Sequence, residues 1–316
     1  MNLLALGRRY AAAAIAAAAL LFAAPIFAQN EGQTHGQAVI TILPAKNAEA
    51  APAIDQQDFQ LKVDGKDATI TGFTPLRGNN DRLEVVLMLD AGARSSITTQ
   101  FGDIQNFFKS LPPDARATLA YMEYGTAKLV SPLSTDRDAV LKGLRIPGGL
   151  PGEDASAYVC LSDLAKHWPS NDSGARRIVV MITDGVDYYD PHYDPQDPYM
   201  QASITDSVRA GLVVYSVYWE NRGRFDSSFY ANYSGQNLLQ QVTQATGGQS
   251  YWEGIGNPVS FQPYFKDLDR RLQNQYELAF SAPVNKPGVA TMKLKVSGIA
   301  GKVDAPQQVY VGRAAM

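Results

Sequence analysis

Residues 83–89 and 177–182 are two extended stretches that are apolar on both faces, interrupted by Glu84 in the first and opened by Arg177 in the second. Strands of that kind leave no side for water, so they belong in the interior of a mostly parallel sheet covered by helices on both sides. The segments between them supply the helices. Ile97, Phe101, Ile104, Phe107, Phe108 and Leu111 recur at helical spacing until Pro112 and Pro113 stop the run. Further strands are expected over 117–124, 128–133 and 212–219. Further helices are expected over 136–144, 155–168, 200–210, 237–246 and 258–272, the first capped by Ser134, Thr135 or Asp136. Strand and helix in turn predict an α/β fold, with a doubly wound, mostly parallel, Rossmann-like sheet and helices on both faces.

The two chain ends have a different texture. Residues 59–63 alternate apolar and polar, Asp64-Gly65-Lys66 supplies a hairpin turn, and 68–73 alternate again. After 275 the same pattern returns at 276–282, 289–296 and 307–311. These strands are too few to stand alone at either end, so they are expected to pair as a small antiparallel β-sandwich built from both ends. Residues 29–58 read as a tether with one β segment, 59–82 and 276–316 as the two parts of the sandwich, and 83–275 as the inserted α/β domain.

Ahead of these lies a leader. Arg8 and Arg9 precede an apolar run at 11–27 that closes on Pro25-Ile26-Phe27-Ala28, the pattern of a signal peptide cut after Ala28. An uncleaved anchor is the alternative, because the run approaches the length that spans a bilayer. Nothing later is long and apolar enough to span, so a secreted or periplasmic protein with no membrane span after cleavage is expected. Without the leader, 26 Lys and Arg face 31 Asp and Glu, an acidic balance that argues against nucleic acid or anionic lipid as partner. The single cysteine, Cys160, cannot close an internal disulfide, so the fold rests on core burial.

A doubly wound sheet binds ligands beyond the carboxyl ends of its strands. That rule brings together 90–96, 152–156 and 183–185. Taken in order, the strand ending in Asp90, Ser134-Thr135-Asp136-Arg137, Ile182-Thr183-Asp184-Gly185, Ala245-Thr246-Gly247-Gly248 and Gln275-Tyr276-Glu277-Leu278 resemble a von Willebrand factor type A (VWA) domain. The likeness is to the acidobacterial VWFA-related secreted type, and it covers roughly 83–312. The resemblance implies a protein-binding module whose top face holds a divalent metal through an Asp-x-Ser-x-Ser run, a Thr and a further Asp, with one position left for a partner's carboxylate. Asp90 and Asp184 match the two acids, and Ser156 is the candidate for the Thr, although an ordinary helix-capping hydroxyl is an equal reading.

Gly92 and Arg94, however, stand at the two serine positions. Glycine brings no side-chain oxygen, and a guanidinium about 5 Å from a divalent ion costs on the order of 6 kcal/mol at an effective dielectric near 20. Three readings follow. Arg94 replaces the ion by pairing with Asp90 and Asp184; or Ser95 or Ser96 slips into register and a weak Mg²⁺ or Ca²⁺ site survives on Asp90, Ser156 and Asp184; or partners bind elsewhere. The expected function is non-catalytic adhesion or protein interaction, with no cofactor beyond that weak metal. The alternative is a metal-dependent binding or hydrolytic subunit using Asp90, Asp154 and Asp184.

The loop 187–199 follows Asp184 directly and carries Tyr188, Tyr189, Tyr193 and Tyr199 among three prolines. Stiffened phenols make a contact surface at low entropic cost, whereas the spacing lacks the glycine and terminal glutamate of an EF-hand loop. Catalysis lacks support, because His35, His167 and His192 are scattered and no Ser-His-Asp or Cys-His set is suggested. Cys160, Trp219, Trp252 and the stripe Phe261, Phe265, Leu268, Leu272 read as core.

Overall fold

The computed structural model describes residues 34–45, 58–150, 153, 155–189, 194–221, 229–254, 256–284, 286–298 and 301–312. The expected leader, its cut after Ala28, Asp154 and Tyr193 lie outside the described residues.

The first strands belong to one barrel with the last. β1 (Thr34–Pro44), β2 (Phe59–Val63) and β3 (Lys66–Pro75) precede an α/β unit, and its sheet opens with β4 (Leu83–Asp90). The chain then continues through α1 (Phe101–Ser110), β5 (Arg116–Glu123), β6 (Thr126–Leu129), α2 (Arg137–Leu141), α3 (Ala157–Lys166) and β7 (Arg176–Thr183). α4 (Pro198–Ala210), β8 (Leu212–Tyr218), α5 (Phe229–Thr246), β9 (Ser250–Tyr251) and α6 (Gln262–Gln273) complete that unit. β10 (Gln275–Ala282), β11 (Gly288–Val296), β12 (Gly301–Asp304) and β13 (Gln308–Val311) return to the barrel.

Two parts of the expected architecture are corrected. The chain ends do not form a β-sandwich: six antiparallel strands run β10-β3-β2-β11-β13-β1, and β1 pairs back on β10 from Thr34↔Ala282 to Thr41↔Gln275, closing a barrel. β1 uses both of its edges, against β10 on one side and β13 then β12 on the other. Closure leaves no second layer to stack and buries Ile40, Leu61, Val63, Leu278, Phe280 and Met292 inside one wall. The second correction concerns the sheet expected to be doubly wound and Rossmann-like. It is a mixed sheet in the order β6-β5-β4-β7-β8-β9, in which β6 folds back antiparallel on β5. The reversal comes at Tyr124 and Gly125, both at positive φ, where the chain makes a hairpin in place of a crossover.

All eight residues of β4 are buried, and they feed two separate apolar clusters. Val85, Leu87 and Leu89 pack with Phe107 and Phe108 of α1 and Phe265 of α6. Val86 and Met88 pack with Tyr158 and Leu161 of α3 and Leu239 of α5. Cys160 is a buried free thiol in the second cluster, and Trp219 is buried, whereas Trp252 is 36% exposed and not core. Local chemistry sets the helix ends: Asp136 caps α2, Asp197 accepts from the Met200 amide ahead of α4, and Gly211 ends α4 in the left-handed region. Among the described residues no helix is long and apolar enough to cross a membrane.

Arg176 ties barrel to sheet. Its guanidinium, almost wholly buried, donates to the Leu272 carbonyl, to Gln275 at the start of β10 and to Asp81 ahead of β4. α5 is set against the loop after β7 by close backbone approach. A Cβ on Gly235 would lie 2.0 Å from the Asp184 carbonyl oxygen. Gly235→Ala gains about 1 kcal/mol of helix propensity but overpacks this contact by about 1–3 kcal/mol. Net destabilisation is therefore expected in a urea titration, and a variant at least as stable as the parent would show that α5 can move off the loop freely.

Candidate functional site

The carboxyl ends of β4, β7 and β8 bring Asp90, Thr183, Asp184 and Asn221 to one place. Asp90 is fully buried, so its oxygens take their hydrogens from the protein. Gly92 N–H donates to Oδ1 at 2.7 Å, while Thr183 Oγ1 and Asn221 Nδ2 donate to Oδ2 at 3.1 and 3.2 Å. Burial, and then the charge of Asp184, push its pKa up to about 8. Asp184, also fully buried, accepts from Val186 N–H at 2.9 Å and from Tyr188 Oη at 3.2 Å.

Gly92 explains where Asn221 sits. A Cβ at position 92 would lie 2.4 Å from Asn221 Oδ1 and 2.9 Å from its Nδ2, so the amide occupies the space that any side chain there would enter. The sequence placed Thr183 on this face, within 183–185, without giving it a role, and did not single out Asn221. The rule that placed Asp90 and Asp184 at strand ends applies equally to the end of β8, where Glu220 and Asn221 follow Trp219.

The expected pairing of Arg94 with Asp90 and Asp184 is corrected. Its guanidinium turns to the segment after β8, meeting Glu220 at 3.0 Å and the Asn221 carbonyl at 3.1 Å. The Arg94 amide donates to the Glu220 carbonyl, which fixes this direction. Ser95 and Ser96 do not enter the Asp90 site: they are exposed in a short 3₁₀ turn, and their carbonyls accept from Thr98 and Thr99. Ser156 is buried, and its hydroxyl accepts from Val159 N–H as the cap of α3. Tyr158 Oη donates to the Gly185 carbonyl at 2.6 Å and braces the same loop.

Around this buried pair runs an aromatic rim. Tyr189 and Tyr199 are 55% and 42% exposed with ring centroids 5.3 Å apart. Tyr189 Oη would stand 3.6 Å from a Cβ on Gly125, beside Tyr124, which is 66% exposed. The Tyr124 amide donates to the Glu153 carbonyl, and Glu153 accepts from Leu150 N–H. Among the described residues no three His, Cys, Asp or Glu side chains are grouped so as to hold a metal.

With this geometry in hand, solved structures similar to the chain include von Willebrand factor type A from Catenulispora acidiphila, 11% identical over 89% of this chain and 75% of that one, at a TM-score of 0.43. An aerotolerance-related membrane protein from Bacteroides fragilis matches 60% of this chain and 98% of its own at 14% identity and a TM-score of 0.42. The pilus adhesin SpaC from Lactobacillus rhamnosus GG matches 86% of this chain and 49% of its own at 11% identity and a TM-score of 0.43. No family model and no curated protein matches the chain.

The Asp90 environment has a pH signature. The folded state holds the Asp90 proton up to about pH 8, whereas the unfolded chain releases it near its ordinary value of 3.8. This group's contribution to stability is therefore full below that lower value and declines as pH rises toward 8. Asp90→Asn removes the titration, so the melting temperature of the parent should fall relative to the variant between pH 5 and 8. Parallel curves would show that Asp90 is ionised in the fold throughout that range.

Proposed function

We propose that this chain is an exported, non-catalytic VWA-like protein that binds a protein ligand through the top face of its sheet without a metal ion. The observation that carries the reading is the Asn221 amide, which donates to Asp90 in the space opened by Gly92. A neutral donor there supplies Asp90 with a hydrogen where the family seats a cation.

The residues present do not fit a divalent ion. Mg²⁺ or Ca²⁺ takes about six to eight oxygens. Here both oxygens of Asp90 face N–H and O–H donors, Gly92 brings no side-chain oxygen, and Ser95 and Ser96 are exposed in the 3₁₀ turn that follows. The hydroxyl of Ser156 is turned to its own helix. Against catalysis, His167 contacts Asp163 at the opposite end of α3 from Ser156. Export rests on the charged start, apolar run and Ala28 of the leader.

Millimolar Mg²⁺, Mn²⁺ or Ca²⁺ should shift the melting temperature of the parent by less than about 1 °C, since a ligand stabilises only in proportion to its binding of the native state. Arg94→Ser should leave that unchanged, because the guanidinium lies on Glu220. Gly92→Ser combined with Asn221→Ala removes the amide and adds a hydroxyl, and should acquire a metal response. A parent that responds to metal, with the response abolished by Asp184→Ala, would overturn the reading.

A further inference from the structure

We infer that the ligand of this face presents lysine or arginine side chains, a conclusion that rests on the metal-free reading above and names its partner's chemistry. In the family the metal recruits a carboxylate. Without an ion, a carboxylate approaching this face meets Glu153 and Asp194, and among the described residues no uncommitted cation receives it.

Among the described residues, the cations at this end of the sheet are already committed. Arg94 is held by Glu220 at 3.0 Å, and Lys128 and Arg145 share Glu123 at 2.9 and 3.1 Å. Glu153 and Asp194, by contrast, have no ion pair among the described residues. Among the described residues their carboxylates accept from the Leu150 and Gln196 amides. Buried Asp187 and Asp197 follow in the same loop and add to the negative potential of the rim. Among the described residues the carboxylates at this end therefore outnumber the cations, and the excess borders the exposed rings of Tyr124, Tyr189 and Tyr199.

Acid beside aromatic face is the pairing that suits a guanidinium or an ammonium, which finds a charge partner at one point and a ring quadrupole at the next. The rim already shows the contact in miniature. The Lys128 ammonium lies 5.4 Å from the centroid of Tyr124 while pairing with Glu123. Tyr189 and Tyr199, tilted against one another, repeat the ring surface without an intramolecular cation over them among the described residues. Leu150, 72% exposed, extends the patch with an apolar contact.

Fluorescence anisotropy with labelled nona-arginine and nona-glutamate peptides tests the assignment on the purified chain. The arginine peptide is expected to bind and to weaken as salt rises, and the glutamate peptide to show no binding. Tyr124→Ala with Tyr189→Ala and Tyr199→Ala leaves the charge unchanged and should weaken the arginine peptide by about tenfold or more, as loss of aromatic contacts does at a defined interface. Glu153→Gln with Asp194→Asn should weaken it as well. Undiminished binding by the aromatic variant would reduce the effect to diffuse attraction and overturn the inference, as would failure of the arginine peptide to bind. Glutamate-peptide binding without added metal overturns the inference alone. Glutamate-peptide binding that appears only with Mg²⁺ overturns the metal-free reading as well.

Discussion

An acid shut away from water must have its oxygens hydrogen-bonded by its own protein, and Asp90 is so placed at the end of a strand buried along its whole length. Gly92, Thr183 and Asn221 meet that demand from three different segments. Each donor constrains its neighbourhood. Asn221 reaches Asp90 only because position 92 has no side chain, and Thr183 brings Asp184 alongside, which in turn orders Tyr188 and the rim beyond it. The shape of the top face follows from satisfying one buried acid.

The rest of the molecule holds that face in place. β4 contributes alternate side chains to two apolar clusters, so its end cannot shift without disturbing both. At the opposite end Arg176 joins the sheet to the barrel through Asp81, Leu272 and Gln275. A buried guanidinium is costly unless paired, as both terminal nitrogens of Arg176 are, and breaking such a pair costs about 3–5 kcal/mol. Barrel and sheet are thereby coupled at the base, while the opposite end is left to loops and exposed rings.

In the proposed reading, a neutral amide standing for an ion changes what the face can recognise. A metal-bearing site pulls a carboxylate toward itself; a site of hydrogen-bonded acids edged with tyrosines favours the opposite charge. Arg94 had looked in the sequence like the replacement cation. Its turn toward Glu220 removes that positive charge from the centre of the face and leaves the acids to set the potential.

Much of this was legible residue by residue. Alternation at 59–63 and 276–282, and continuous apolar runs at 83–89 and 177–182, mark strands because the period of burial is a local property of an extended chain. The positions of Asp90 and Asp184 at strand ends were legible for the same reason. Closure of the barrel was not. Backbone hydrogen bonds carry no side-chain signature, so nothing in residues 34–44 says that both edges of β1 will be used. Nor could local pattern show that Asp90 would be satisfied by Asn221, 131 positions away. Which polar group fills a buried site depends on which segments the folded chain brings within 3 Å or so, and only the tertiary structure decides that.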